Sequence, residues 1–196
     1  MKIILSLSCF FLYFSSFAQR SNYNDSIKLF QQNYVQTHEV VNEPNRSFFQ
    51  FFPVNKKYRV LATFKKLDDA KGFIMKTSGT KTKKYFKYGI LRFTIDHKQL
   101  KLTVYQSEQL MKDDKYKDYL FVPFTDLTSG KKSYGGGKYL DFVMDDIQNN
   151  TLLLDFNKAY NPYCAYASGY NCPIPPREND LPVAIKAGEM NFGKGH

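Results

Sequence analysis

Between residues 25 and 40, apolar side chains recur at helical spacing, at Ile27, Phe30, Tyr34 and Val35. That spacing predicts one amphipathic helix. Asn24 or Asp25 is placed to cap its start, and Asn42 with Pro44 marks its end. Beyond Pro53 the period changes to two: Tyr58, Val60, Ala62 and Phe64 share one face, and Leu100, Leu102 and Val104 share another. Further strands are predicted over 73–77, 85–95, 119–124, 138–144, 151–156 and 181–187. They are divided by turn signals at Asp68-Asp69, Ser78-Gly79, Asp96-His97 and Gln148-Asn149-Asn150. Short strands at this spacing, with no helices between them, predict a mainly β fold. The expected architecture is an antiparallel barrel or sandwich with one N-terminal amphipathic helix. Without an internal repeat or linker, 19–196 reads as a single β-rich domain.

The N-terminus changes the picture of compartment. Lys2, the apolar and small-residue run over 3–14 and the small residues of Ser16-Phe17-Ala18 fit a signal peptide over 1–18, cleaved before Gln19. The run is about twelve residues, shorter than the roughly twenty a spanning helix needs, so no stable membrane anchor is expected. The chain is accordingly expected to be periplasmic or secreted. Cys9 lies inside the run, with bulky Leu7 nearby where a lipoprotein signal wants a small residue, and would be lost with it. Cys164 and Cys172 remain, and in an exported protein such a pair reads first as a disulfide. Closing the nine-residue loop would restrict the unfolded chain by about 2.5 kcal/mol. A zinc site would need two more ligands, but His38, His97 and His196 show no paired spacing, so no metal is expected. The seven residues between the cysteines exclude the short Cys-x-x-Cys redox geometry.

The net charge of +10 raises the question of a polyanion partner. Its one local cluster, Lys81, Lys83, Lys84 and Lys87, is interleaved with Tyr85, Phe86 and Tyr88, as in a stacking platform for single strands. A solvated strand face opposite a buried one fits the same letters, and export removes the chain from nucleic acid. No nucleic-acid partner is expected.

Two stretches could carry chemistry. Gly135-Gly136-Gly137 would expose backbone N–H groups before a strand, and Lys138 could neutralise an anion there. The alternative is a tight connection whose glycines adopt positive φ. The second stretch follows Asp155. Asp155, Asn157, Asn161, Glu178 and Glu189 could supply oxygens to a hard cation, or Asp155 and Glu178 could act as an acid and base pair. Such residues beside turns also bond their own backbone. Tyr160, Tyr166 and Tyr170 would suit a wall for a ring-shaped ligand. A hairpin of 138–144 with 151–156 would set Gly137 beside Phe156, giving the two stretches one pocket. Neither Gly-x-Ser-x-Gly nor His-Glu-x-x-His occurs, so no nucleophile and base pair is evident.

The residues of these stretches form an ordered set: Phe124, Asp126, Thr128 and Gly130, then Ser133 to Asp141. Asp155-Phe156-Asn157 and Ala159-Tyr160-Asn161-Pro162 follow, then Cys164-Ala165-Tyr166, Cys172-Pro173, Pro175-Pro176, Glu178-Asn179 and Ala187-Gly188-Glu189. The set resembles the signature of an uncharacterised bacterial family, domain of unknown function sixteen eighty-four, over roughly 49–189. Lys138 departs from it where Arg is usual, which puts bidentate recognition of an anion in doubt. Tyr163 stands where a second Pro is frequent, and Asp180 where a basic residue is usual. The resemblance implies where a site lies and implies no mechanism. The expected function is an exported module for a small or glycan-like ligand, bound by Asp126, Lys138, Tyr139, Asp155, Asn157, Tyr160, Asn161, Tyr166, Glu178 and Asn179. Two alternatives stay open: a cell-envelope hydrolase with Asp155 or Glu178 as base, and a structural envelope protein without a ligand. The cofactor question has no answer in the sequence.

Overall fold

A computed structural model describes residues 22–194. The signal-peptide expectation over 1–18 lies outside the described residues. Helix α1 spans Tyr23–Gln36, two residues earlier at its start than the spacing predicts, because Asn22 caps it by accepting from the Asn24 amide at 3.3 Å. It stops before residue 40 because His38 Nδ1 accepts from the Val40 and Val41 amides at 3.3 and 3.0 Å. Those bonds turn the chain out of the helix.

The strands follow the period of two. They are β1 (Arg59–Lys66), β2 (Phe73–Met75), β3 (Lys83–Ile95), β4 (Lys98–Ser107), β5 (Tyr119–Asp126), β6 (Lys138–Val143), β7 (Ile147–Gln148), β8 (Thr151–Asp155) and β9 (Asp180–Leu181). Two of the turn signals close two-residue hairpins, with positive φ at Asp96 and His97 and at Asn149 and Asn150. The sheet runs in the order β6-β5-β4-β3-β1-β8-β7; β2 pairs with β3, and β9 with β5 in parallel. One face of β1, β3, β4, β5, β6 and β8 is buried in a single cluster that includes Ala62, Leu91, Leu102, Val122, Leu140 and Leu154. The sheet therefore curls around its own core. On the opposite face Tyr85, Tyr105, Phe121 and Tyr139 form a second cluster under Met75 of β2.

The expectation of a closed barrel is corrected. The path ends at β6 and β7, and among the described residues an isolated bridge between Tyr139 and Tyr160 crosses the gap. An open seam remains beside β6. The predicted 138–144 with 151–156 hairpin is also absent, since β6 pairs with β5, and β8 with β1 and β7. Gly137, at φ +88°, lies against Phe124 and Pro175; an added Cβ would stand 2.5 Å from the Phe124 carbonyl oxygen. Its need for glycine is steric.

Strand 181–187 is shorter than predicted. Val183, Ile185 and Ala187 alternate into the core as expected, yet only Leu181 with Asp180 joins a ladder. The Val183 carbonyl accepts from the Leu127 amide at 3.0 Å, and side chains satisfy much of the rest: Asp126 Oδ1 accepts from the Ile185 amide at 3.1 Å, and the Lys138 ammonium donates to the Ile185 and Ala187 carbonyls, both at 3.2 Å. A second substitution of side chain for strand occurs between β4 and β5, which pair at Tyr105 with Phe121. Continuing that register sets Pro123, which has no amide hydrogen, opposite Thr103. The Asn179 carboxamide fills the gap, accepting from the Thr103 amide at 2.7 Å and donating to the Thr103 and Pro123 carbonyls at 2.9 and 2.7 Å.

Candidate functional site

Leaving the seam unpaired creates a cleft of about 750 Å³, walled by α1 on one side and by β6 and the end of β8 on the other. Tyr23 and Phe30 reach it from the helix, Asp141 and Phe142 from β6, and Asp155 and Tyr160 from β8 and beyond. Asp141 is its most unusual member. The residue is exposed, and its carboxylate accepts from the Tyr119 hydroxyl at 2.5 Å and from the Tyr160 hydroxyl at 2.6 Å. Tyr85 and Tyr139 stand close enough for their ionisation to be opposed by it. Among the described residues no cation pairs with Asp141. Desolvation of its carboxyl by the protein packed around it pushes it above the usual range, against the lowering by the two phenol hydrogen bonds.

Asp155 enters the same cleft but is already engaged. Both its oxygens accept from the Tyr23 hydroxyl, at 3.0 and 2.9 Å, and Oδ1 accepts from the Asn157 amide and carboxamide at 3.0 Å each. Arg59 stands 4.0 Å away. Asn157 is buried and clasps the Asn55 backbone, accepting from its amide at 2.9 Å and donating to its carbonyl at 3.0 Å. These contacts dock the helix start onto the end of β8.

The structure disperses the other sequence-predicted residues. Lys138 and Asp126 form an ion pair of 3.3 Å with neither side chain exposed, so the expected open anion site at Lys138 is corrected: its ammonium holds backbone. Burial lowers the Lys138 pKa, opposed by Asp126. Asn161 is fully buried, donating through its amide to Glu189 at 2.9 Å and through its side chain to the Met190 carbonyl at 2.7 Å. The Tyr166 hydroxyl reaches both Glu189 oxygens at 2.8 Å. Asn179 is the wedge between β4 and β5. Glu178 lies away from the seam, 2.7 Å from the Lys87 ammonium, and accepts from the Tyr105 hydroxyl at 3.1 Å. Burial raises Glu178, and the Lys87 and Tyr105 contacts overcome that, leaving it below the usual range. Tyr139 is buried, its hydroxyl donating to the Pro173 carbonyl. The shared pocket of Gly135–Gly137 with the Asp155 loop is therefore not formed; the Asp155 loop meets β6 at Asp141 and Phe142 instead.

Sequence reasoning missed Asp141 as a site residue although it closes the Lys-Tyr-Leu-Asp motif. It also missed Tyr23, whose position on a helix gives no sign of a partner in β8. The disulfide between Cys164 and Cys172 is present, with a Cα–Cα distance of 6.3 Å. No group of three or more metal-ligating side chains occurs among the described residues, and no helix among them is long and apolar enough to cross a membrane.

The family described as protein of unknown function (DUF1684) matches residues 47–190, most of the chain. The chain belongs to this family. The match covers β1 to β9, the β6 and β8 wall of the seam but not α1, and the Lys138, Asn161 and Asn179 contacts that hold the fold. Among solved structures, the DUF1684 chain is similar to an uncharacterized protein of Haloarcula marismortui whose solution NMR structure is known. The two are 30% identical, the alignment covers 85% of this chain and 94% of that one, and the TM-score is 0.63. No curated protein matches.

Proposed function

We propose that this chain is an exported binding module that takes a small glycan-like ligand in the seam cleft. The observation that carries the reading is Asp141, a carboxylate held in place by two phenol hydroxyls, without a cation, on an exposed cleft wall. A carboxylate so held keeps lone pairs for ligand hydroxyls. Tyr23, Phe30 and Phe142 add ring surface, and Arg59 and Lys158 add donors. Export is supported by Lys2 before the apolar run over 3–14, and by a disulfide of the kind that persists in oxidising compartments. The test is calorimetry and thermal shift of the mature chain against neutral mono- and oligosaccharides. At least one should raise the melting temperature by mass action, and Asp141→Asn should weaken it by about tenfold or more. A panel that leaves the melting temperature unmoved, or an Asp141→Asn variant of unchanged affinity, rejects this reading.

Asp141 also favours one second reading, a cell-envelope hydrolase. A carboxyl raised by its surroundings suits a general acid, a role better matched here than by Asp155, which is clasped, or Glu178, which is ion-paired elsewhere. Release of reducing ends from envelope glycans that stops in Asp141→Asn selects this alternative.

A further inference from the structure

A second cleft, of about 530 Å³, opens between the disulfide loop and the start of β3, and shares only Tyr160 with the seam cleft. We propose that this second cleft binds an acidic sugar ring, a hexuronate unit of an acidic polysaccharide. Its charge is of one sign: Lys81 and Lys83 line it, and no Asp or Glu does. Among the described residues neither ammonium has an ion-pair partner. Lys83 is half-buried, and burial, then the Lys81 charge, pull its pKa below the ordinary lysine value. Two like charges held this close are relieved by an anion between them.

The remaining walls suit a ring. Tyr163 and Tyr170 meet edge to face with centroids 5.3 Å apart, and Tyr170 remains 39% exposed. Pro162 and Pro173 extend the flat surface, while Gln109 and Asn171 offer amides to hydroxyl groups. Inorganic phosphate would use the lysines and waste the rings. A nucleic-acid strand would need a basic track longer than two lysines.

The site is built before any ligand arrives. The Ser78 amide donates to the Cys172 carbonyl at 2.9 Å, the Ser78 hydroxyl to the Tyr170 carbonyl at 3.1 Å, and the Ile174 amide to the Lys76 carbonyl at 2.8 Å. Asn171 Oδ1 accepts from the Lys81 amide at 2.8 Å, and Gly79 leaves room for it, since an added Cβ would come within 2.3 Å of that oxygen. The lysine-bearing turn and the tyrosine-bearing disulfide loop are thus stapled together, which removes much of the ordering cost of binding.

The test titrates the mature disulfide-bonded chain with polygalacturonate oligomers by calorimetry. Galactose oligomers of equal length, inorganic phosphate and oligothymidylate are run in parallel. Polygalacturonate should bind, weaken as salt rises, and lose about tenfold or more in the double variant Lys81→Met with Lys83→Met. Tyr170→Ala should weaken it as well, and the double Lys→Arg variant, which keeps the charge, should retain binding. Absence of polygalacturonate binding, equal binding of the neutral oligomer to a chain whose seam cleft is disabled by Asp141→Asn, stronger binding of phosphate or oligothymidylate, or unchanged affinity in the double Met variant each overturns the proposal. Its failure is separate from that of the seam cleft, because neutral saccharides report on Asp141 and acidic ones on the lysines.

Discussion

Lys138 donates to two carbonyls of the 183–187 segment and faces Asp126 across 3.3 Å, with neither side chain reaching solvent. Removing one member of such a pair strands the other charge, at a cost of about 3–5 kcal/mol. Lys138→Met should therefore lower the unfolding free energy by roughly that amount in urea, and adding Asp126→Asn should restore part of it; an unchanged midpoint in the single variant would contradict the fold-holding role. A second pair of residues controls pH dependence. Burial pushes the Glu189 carboxyl up to about 7 from its ordinary 4.5, so between those values the folded chain carries the extra proton and stability falls as pH rises. His38 runs the other way: burial lowers it to about 4 from 6.5, the folded chain sheds its proton first, and stability rises with pH across that window. The two slopes oppose each other between pH 4.5 and 6.5. Glu189→Gln should unmask a stability that climbs with pH there, by at most about 1.4 kcal/mol per pH unit, where the parent is nearly level. Parallel profiles in chemical denaturation would refute it. The motif around these residues was legible as an ordered loop, but its use was not. Asp, Asn and Lys carry the same letters whether they grip backbone or ligand, and the partners that decide, Ile185 for Lys138 and Met190 for Asn161, lie far along the chain.

At the scale of elements, alternation of apolar residues predicted most strands, because a residue facing the common core repeats every second position whatever its partner. The β4–β5 gap and the missing ladder along 182–187 escaped prediction because side chains from elsewhere supply much of the bonding there. Asn179→Ala should leave the Thr103 amide and the Thr103 and Pro123 carbonyls unpaired, at about 1–3 kcal/mol for each buried group. Hydrogen exchange should locate the damage, with the Thr103 amide losing protection more than the Leu91 amide in neighbouring β3. Uniform loss of protection would mean that Asn179 supports the fold in general and not this ladder. The helix boundary failed for a similar reason: the apolar spacing continues beyond residue 36, and the imidazole of His38 interrupts it.

For the whole molecule, what matters is that the sheet curls without closing. Helix α1 covers the place where a closing strand would lie, pinned at its start by the Tyr23 hydroxyl on Asp155 and at its end by the Tyr34 hydroxyl, 3.0 Å from that of Tyr166. Ile27, at 2% exposure, is the apolar anchor between the pins. Beyond the Tyr139 bridge, β6 presents an outer margin of backbone, and such a margin is a template for another chain. Ile27→Asp should lift the helix and free that margin, so light scattering should find larger, concentration-dependent assemblies than the parent forms. The helix is then a guard against edge-to-edge assembly as much as a wall, and any ligand lodged beneath it would act as a wedge that the chain tolerates only while both pins hold.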